Sequence, residues 1–162
     1  MEFTELIKER RSCRKYAASA AEPDVAEIIR EAQMAPSWKN SQTARCYVSG
    51  DLAQFLPDFN RESTRGCGTY IVTTFVKGIS GGADGDKWGA YDLGLHDAYL
   101  ILAAKNRGYD TLIMGLRDEA GLRAYFSIPE KEEIMSVIAV GHADCDMIMR
   151  TREPLEKVMV KK

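Results

Sequence analysis

Residues 88–107 constrain the fold more than any other part of the chain, because their pattern predicts a long helix that is apolar on several sides. The apolar residues of this stretch are Leu93, Leu95, Ala98, Leu100, Ile101, Leu102, Ala103 and Ala104. A helix that is apolar nearly all round must be covered nearly all round. A chain of 162 residues has the length of one domain with one core. We therefore expect a single domain, residues 1–162, in which this helix needs a second copy of the chain to be covered.

Shorter patterns predict helices and strands on both sides of this helix. Helices are expected at residues 3–9, from residue 22 until Pro36 ends the helix, at 51–55 and at 119–126. Strands are expected at residues 46–48, 69–76, 109–114 and 134–140. The glycine-rich residues 78–87 lack the Gly-Lys-Ser/Thr ending of a phosphate loop and predict a flexible loop. Residues 154–160 are amphipathic but too short to form a stable helix alone, so we expect them to dock on another surface.

Composition and charge argue against several classes of function. A formal net charge of −2 gives no general attraction to polyanions, so nucleic-acid binding is not expected. No apolar run approaches the roughly 20 residues that span a bilayer. The first residues, Met-Glu-Phe-Thr-Glu, carry acid where a signal peptide carries base. We therefore expect a cytoplasmic protein that does not bind a membrane.

The residues that could act as soft metal ligands are scattered: Cys13, Cys46, Cys67, Cys145, His96 and His142. No Cys-Xaa-Xaa-Cys pair occurs, so no metal site is expected. Inert packing is the favoured role of the cysteines, above all for Cys46 in a predicted strand. Cys13 is the exception, because a position between Arg11 and Arg14 could lower its thiol pKa and make it reactive. His96 is expected to be buried in the core or an interface, and His142 to be exposed after a strand.

Three separate segments carry the groups that a phosphate monoester needs. They are Arg10-Arg11-Ser12-Cys13-Arg14, Pro36-Ser37-Trp38-Lys39-Asn40-Ser41-Gln42 and Arg150-Thr151-Arg152. Guanidinium groups and hydroxyls from several parts of a chain match the charge and the oxygens of a phosphate. Each segment alone also has an ordinary alternative. The first arginines suit the C-terminal end of a helix, the last two suit a basic tail, and the middle segment suits a surface turn.

In order and spacing, the three segments resemble the FMN-dependent nitroreductase family. The resemblance extends to Trp88-Gly89-Ala90-Tyr91-Asp92-Leu93-Gly94-Leu95-His96-Asp97-Ala98, which is similar to the central helix of that family. The closing segments are similar as well, at Ile128-Pro129, Ile138-Ala139-Val140-Gly141 and Arg152-Glu153-Pro154-Leu155-Glu156. The resemblance implies an α+β fold with a central, mostly antiparallel β-sheet flanked by helices. It also implies an intertwined homodimer that binds two FMN molecules at its interface.

The same resemblance implies roles for individual residues. Arg10 and Arg152 would contact the FMN phosphate, with Arg11, Ser12 and Arg150 nearby, and Arg14 would lie toward the pyrimidine edge of the flavin ring. Pro36, Ser37, Asn40 and Gln42 would approach FMN from the partner subunit or line the ring. Asn60 would reach the pyrimidine edge, and the backbone around Met114 and Gly115 would lie near flavin N5.

The expected function is that of an FMN-dependent oxidoreductase. Hydride would pass from NAD(P)H through the flavin to a nitroaromatic, quinone or related acceptor in a ping-pong mechanism. No catalytic acid, base or nucleophile is then required of the protein, and an always protonated Arg14 would favour flavin reduction. Two alternatives stay open. One is other flavin chemistry on the same scaffold, such as dehalogenation, enoate reduction or flavin breakdown, and the other is a flavin-binding or sensing protein without catalysis.

Overall fold

The computed structural model describes residues 2–82, 85–146, 148 and 150–161. Its strands are β1 (Tyr16–Ser19), β2 (Ala44–Ser49), β3 (Tyr70–Val76), β4 (Asp110–Met114) and β5 (Glu132–Ala143). Its helices are α1 (Phe3–Glu9), α2 (Glu22–Ala32), α3 (Asp58–Ser63), α4 (Gly85–Asn106), α5 (Glu119–Phe126) and α6 (Leu155–Val158). Short 3-10 turns lie at Trp38–Asn40 and Ala53–Phe55.

The strands form one sheet in which β5 is the strand with the most neighbours. β3 pairs with β5 around Ile71 and Ile138, β4 pairs with it around Leu112 and Ala139, and β1 pairs with its last residues. β2 pairs with β3. All four pairings are antiparallel, which confirms the expected α+β fold with a mostly antiparallel sheet.

A hydrophobic cluster lies on each face of the sheet, because successive side chains of a strand point to opposite faces. On one face, Tyr70 and Val72 of β3 pack with Leu122 of α5. On the other face, Ile71 packs with Ile28 of α2 and with residues of α4. β3 is buried along its whole length. Burial on both faces explains why its sequence has no polar alternation.

Helix α4 carries a buried polar network where it crosses the sheet. Asp97 accepts hydrogen bonds from Thr73 Oγ1 at 3.0 Å and from Ser136 Oγ at 3.4 Å. Its other carboxylate oxygen lies 3.2 Å from His96 Nδ1. A buried carboxylate without such partners is costly, so these contacts fix the position of α4 along β3 and β5. His96 is buried here, as the sequence predicted.

The opposite side of α4 remains open to solvent in the single chain. Trp88 is 44% exposed, Tyr91 is 60% exposed and Tyr99 is 44% exposed. Phe3 of α1, which packs against α4, is 66% exposed. The chain therefore leaves part of its longest helix uncovered. Although α4 is long and apolar, no helix in the described ranges meets the length and hydropathy that crossing a membrane requires.

Several boundaries differ from the expectation. α4 begins at Gly85, so residues 85–87 are helical and do not belong to the predicted loop, whose residues 83 and 84 lie outside the described part. β5 begins at Glu132, before the predicted residue 134. A carboxylate can begin this buried strand because Glu132 accepts hydrogen bonds from Tyr47 at 2.8 Å and from Thr74 at 2.6 Å.

β1 and α3 were not predicted. β1 is four residues long, and Tyr16 is its one buried side chain, so it shows no alternating pattern. α3 is six residues long and buries one polar residue, Asn60. Both elements are held by tertiary contacts, which short stretches of sequence do not encode.

Candidate functional site

The first arginine segment is held against the outer edge of β4. α1 ends at Glu9, and the Arg10 N–H donates to Leu6 O. Ser12 then forms a parallel bridge with Thr111, and Cys13 N donates to Thr111 O at 2.9 Å. Cys13 is buried, whereas Arg14 is exposed. The backbone pairing therefore fixes this segment and leaves the Arg14 side chain exposed on its surface.

The second arginine segment comes from the end of β5. Asp144 N donates to Lys15 O at 2.9 Å, and Lys15 Nζ lies 2.7 Å from Asp144 Oδ2. The chain then continues toward Arg150 and Arg152. Both segments line one cavity of about 200 Å³, which we call the arginine cavity: Arg10, Arg11, Ser12, Arg14, Cys145, Asp146, Ile148, Arg150 and Arg152. The structure thus brings together two of the three segments singled out from the sequence.

The charge in the arginine cavity is strongly unbalanced, with five arginines against one aspartate. The pKa of Arg10 is lowered, first because of burial and then because Arg11 and Arg152 repel its charge. Within the part of the chain that the structure describes, no carboxylate forms an ion pair with Arg10, Arg14, Arg150 or Arg152. Such a cavity suits a bound anion.

The size of the arginine cavity suits a phosphate group. The cavity offers about 200 Å³. Pockets for whole ligands usually hold about 300 Å³ or more, so the rest of a nucleotide would have to lie outside it.

The middle segment lies at a different cavity. Pro36, Ser37 and Gln42 line a space of about 290 Å³, whereas Asn40 is exposed and is not among its lining residues. The other residues around this space come from the end of α2 and the loop after it, from the start of β2 and the residue before it, and from α4: Ala32, Gln33, Ala35, Thr43, Ala44, Arg45, Asp92 and His96. Within one chain, Pro36, Ser37 and Gln42 therefore do not line the arginine cavity.

The turn between Pro36 and Gln42 is strained. Lys39, Asn40 and Gln42 have φ angles of 47°, 56° and 47°, in the left-handed region that side chains rarely adopt. Such residues cost on the order of 1 kcal/mol or more each, and they concentrate at functional sites. The strain supports a specific role for this turn over that of an ordinary loop.

Asp92 of α4 holds this strained turn in place, and the sequence analysis did not identify it. Its carboxylate accepts hydrogen bonds from Trp38 N at 3.1 and 3.0 Å and from Ser80 Oγ at 3.0 Å. Ser41 Oγ lies 3.4 Å from the same carboxylate. An acid on an otherwise apolar helix was the available signal, because such a group is retained in a core when it has partners.

Asn60, Met114 and Gly115 meet at a third place. Asn60 is buried in α3, and its Nδ2 donates to Leu116 O at 3.0 Å. Met114 is the buried last residue of β4, and the next residue, Gly115, is exposed. The Arg117 guanidinium donates to Gly115 O. Asn60 therefore fixes the loop that follows Met114, an arrangement that spacing alone did not show.

The cysteines and histidines differ in one respect from the expectation. Burial is the main cause that raises the pKa of the Cys13 thiol to about 11, so the suggestion of a lowered pKa was wrong. Burial likewise raises the pKa of Cys46 to about 12, which agrees with inert packing. His142 is exposed and packs against Tyr109 with the two rings tilted by 42° and their centres 4.7 Å apart. No group of three or more candidate metal ligands occurs among the described residues.

The fold and the arginine cavity define an α+β protein with a site suited to a phosphate. The sequence model of the nitroreductase family matches residues 7–65 and 51–142, which together make up most of the chain. The chain belongs to the nitroreductase family. The comparison with curated proteins gave no match.

Solved structures agree with this assignment in their fold. A nitroreductase family protein from Streptococcus pneumoniae TIGR4 has a TM-score of 0.90 and 19% identity, over 99% of this chain and 100% of that one. A proposed nitroreductase from Exiguobacterium sibiricum 255-15, solved in complex with FMN, has a TM-score of 0.88 and 19% identity, over 100% and 98% of the two chains. An FMN-dependent nitroreductase from Clostridium difficile R20291 has a TM-score of 0.78 and 21% identity, over 99% and 98%.

Replacing Asp92 with alanine should destabilise the chain by about 2–4 kcal/mol, because Trp38 N and Ser80 Oγ lose their buried acceptor. Asp92→Asn keeps one acceptor oxygen and should cost less. Asp58→Ala, which removes a surface ion pair with Arg61, is the control and should stay within about 0.5 kcal/mol of the parent. Urea unfolding at one fixed protein concentration measures all three. An Asp92→Ala chain as stable as the control would contradict the anchoring role.

Proposed function

We propose that this protein is an FMN-dependent oxidoreductase, built as a single domain of residues 1–162, that uses NAD(P)H to reduce nitroaromatics, quinones or related acceptors by a ping-pong mechanism. The observation that carries the proposal is the arginine cavity, where segments from both ends of a nitroreductase-family chain meet. The FMN complex and the FMN-dependent enzyme among the proteins of similar fold support the choice of ligand.

The arginine cavity would hold the phosphate of FMN. Arg10 and Arg152, which repel each other across the cavity, would both contact it, because a dianion removes that repulsion. Arg11, Ser12 and Arg150 would lie beside them. Arg14 is exposed at the rim, so its guanidinium can extend toward the pyrimidine edge of the ring and stabilise negative charge there.

The flavin ring would lie outside the arginine cavity, against the loop that Asn60 holds. The flavin ring would be able to approach Gly115 closely, since a Cβ added there would meet nothing within 4 Å. The backbone around Met114 would lie beside the ring. When bound, FMN supplies the chemistry, accepting a hydride from NAD(P)H and passing electrons to the acceptor. The residues of this chain would then bind and orient FMN and tune its reduction, without supplying a catalytic acid, base or nucleophile.

The active assembly would be a homodimer. The outer side of α4 is apolar and exposed, and so is the C-terminal tail, where Leu155 is 61% and Val158 is 72% exposed. Apolar surface of this kind is expected to be covered by another chain. The turn containing Pro36, Ser37, Asn40 and Gln42 would then reach the FMN of the partner subunit, which explains why it lies away from the arginine cavity of its own chain.

The first test is the visible absorption spectrum of the purified protein, before and after anaerobic addition of NADH or NADPH. We expect a flavin spectrum that bleaches on addition, since a two-electron reduction removes the visible flavin bands. A flavin that binds without bleaching would favour a non-enzymatic binding protein. A colourless protein that takes up no added FMN would overturn the proposal.

Removing two phosphate partners should abolish FMN retention. A hydrogen bond to a charged group contributes about 1.5–3 kcal/mol, so Arg10→Ala combined with Arg152→Ala should weaken FMN binding by about a hundredfold or more. The matched control is Arg30→Ala combined with Lys131→Ala, which removes two exposed cations from other surfaces. Fluorescence titration of the FMN-free proteins measures each affinity. Unchanged affinity in the first double variant would refute the phosphate assignment.

The homodimer is tested by size-exclusion chromatography with light scattering at micromolar protein. We expect the mass of two chains, because α4 and the tail leave apolar surface that one chain does not cover. Truncation before Pro154 should shift the mass toward that of one chain. A folded monomer of the full chain would contradict the dimer.

A further inference from the structure

Two cysteines meet at the wall of the arginine cavity, one from each segment that forms it. Cys13 lies within the first arginine segment, and Cys145 lies two residues beyond Ala143, the last residue of β5. The segments are paired there, since Tyr16 lies opposite Ala143 and Asp144 N donates to Lys15 O at 2.9 Å. The two cysteines are therefore neighbours across this pairing.

Both sulfur atoms lie against the same oxygen. Cys13 Sγ donates to Lys15 O at 3.1 Å, and Cys145 Sγ lies 3.9 Å from that same atom. Because both distances run to the same atom, the distance between the two sulfur atoms is at most the sum of 3.1 Å and 3.9 Å. Cys145 also contributes to the raised pKa of the Cys13 thiol, after burial, which requires the two groups to be close. Neither residue takes part in the proposed electron transfer.

We propose that Cys13 and Cys145 form a reversible disulfide when the protein meets a peroxide, and that this bond clamps the C-terminal segment to the first arginine segment. The two thiols differ in access, because Cys145 is exposed and Cys13 is buried. Cys145 is therefore the thiol that a dissolved oxidant reaches first, and Cys13 is the resolving thiol beside it.

The reaction balances with a peroxide as the oxidant. The Cys145 sulfur attacks one peroxide oxygen, the O–O bond breaks, and the second oxygen takes up the thiol proton and leaves as water or an alcohol. Cys145 is then a sulfenic acid. The Cys13 sulfur attacks the Cys145 sulfur, the S–S bond forms, and the S–O bond breaks with release of water that carries the Cys13 proton. Two electrons pass from the two thiols to the peroxide, and an added thiol reductant reverses the change.

The bond would act on the arginine cavity, because Arg150 and Arg152 lie a few residues beyond Cys145. The tail is exposed along its described length. Fixing it at its base orders its arginines before a ligand binds, which lowers the entropic cost of binding. This consequence rests on the proposed FMN function, whereas formation of the disulfide does not.

The disulfide is tested on the full-length protein. The protein is treated with hydrogen peroxide, the remaining thiols are blocked with N-ethylmaleimide, and tryptic peptides are mapped by mass spectrometry. We expect residues 12–14 linked to residues 132–150, with the link lost on reduction and absent from Cys145→Ser. Cys67→Ser is the matched control and should keep the link, because Cys67 Sγ donates to Thr69 O on another segment. Cys145 oxidised or cross-linked elsewhere, with Cys13 free, would overturn the proposal.

The clamp is tested by the rate at which FMN leaves the protein, measured with and without peroxide treatment. Oxidation should slow release by roughly three- to tenfold in the parent and in Cys67→Ser, but not in Cys145→Ser. A disulfide-linked protein that releases FMN as fast as the untreated, thiol form would overturn the clamp. Failure of both redox forms to bind FMN would count against the proposed function instead, while the peptide map would still decide the disulfide.

Discussion

The two ends of the chain come together because backbone hydrogen bonds hold both of them at one end of the sheet. Cys13 N donates to Thr111 O of β4, and Asp144 N at the end of β5 donates to Lys15 O. These contacts place Arg10 and Arg152 on the same cavity although they lie near opposite ends of the sequence. Backbone pairing does not depend on the side chains that follow it. The sheet therefore determines where the cavity forms, and the arginines determine what it can bind.

The arginine cavity lowers the stability of the folded chain until an anion binds in it. Burial, Arg11 and Arg152 lower the pKa of Arg10, and a cation whose pKa is lower in the folded state destabilises that state at every pH below it. A dianion that binds only the folded protein reverses this cost by mass action. In the proposed complex, Arg150 and Arg152 of the exposed tail would gain contacts with the ligand in the same step. Folding of the chain and binding of the ligand would thus be thermodynamically linked.

The sequence predicted elements that depend on strong local patterns. β3 combines β-branched and aromatic residues, and α5 was predicted at its observed limits, Glu119–Phe126, which an Asp118 cap fixes through a hydrogen bond from Gly121 N. β1 and α3 were missed because their stability comes from contacts distant in sequence. For the site, the order and spacing of the two arginine segments predicted that they lie beside each other, as they do in the arginine cavity. The hydrogen-bond partners of Asp92, the strain at Lys39 and the contact of Asn60 with Leu116 could not be predicted, because each depends on which distant segment packs beside it.

Helix α4 is largely apolar, yet it buries two acids, Asp92 and Asp97. Each acid has enough hydrogen-bond donors to remain buried: Asp97 binds the sheet through Thr73 and Ser136, and Asp92 binds the strained turn through Trp38 N. The helix is therefore fixed to the sheet on one side and fixes the turn on another. In the proposed homodimer, its exposed aromatic side would face the second chain. The same rigid helix would then determine both the contact between subunits and the position of the turn that reaches the partner's cofactor. A shift of the helix at the subunit contact would therefore also move this turn.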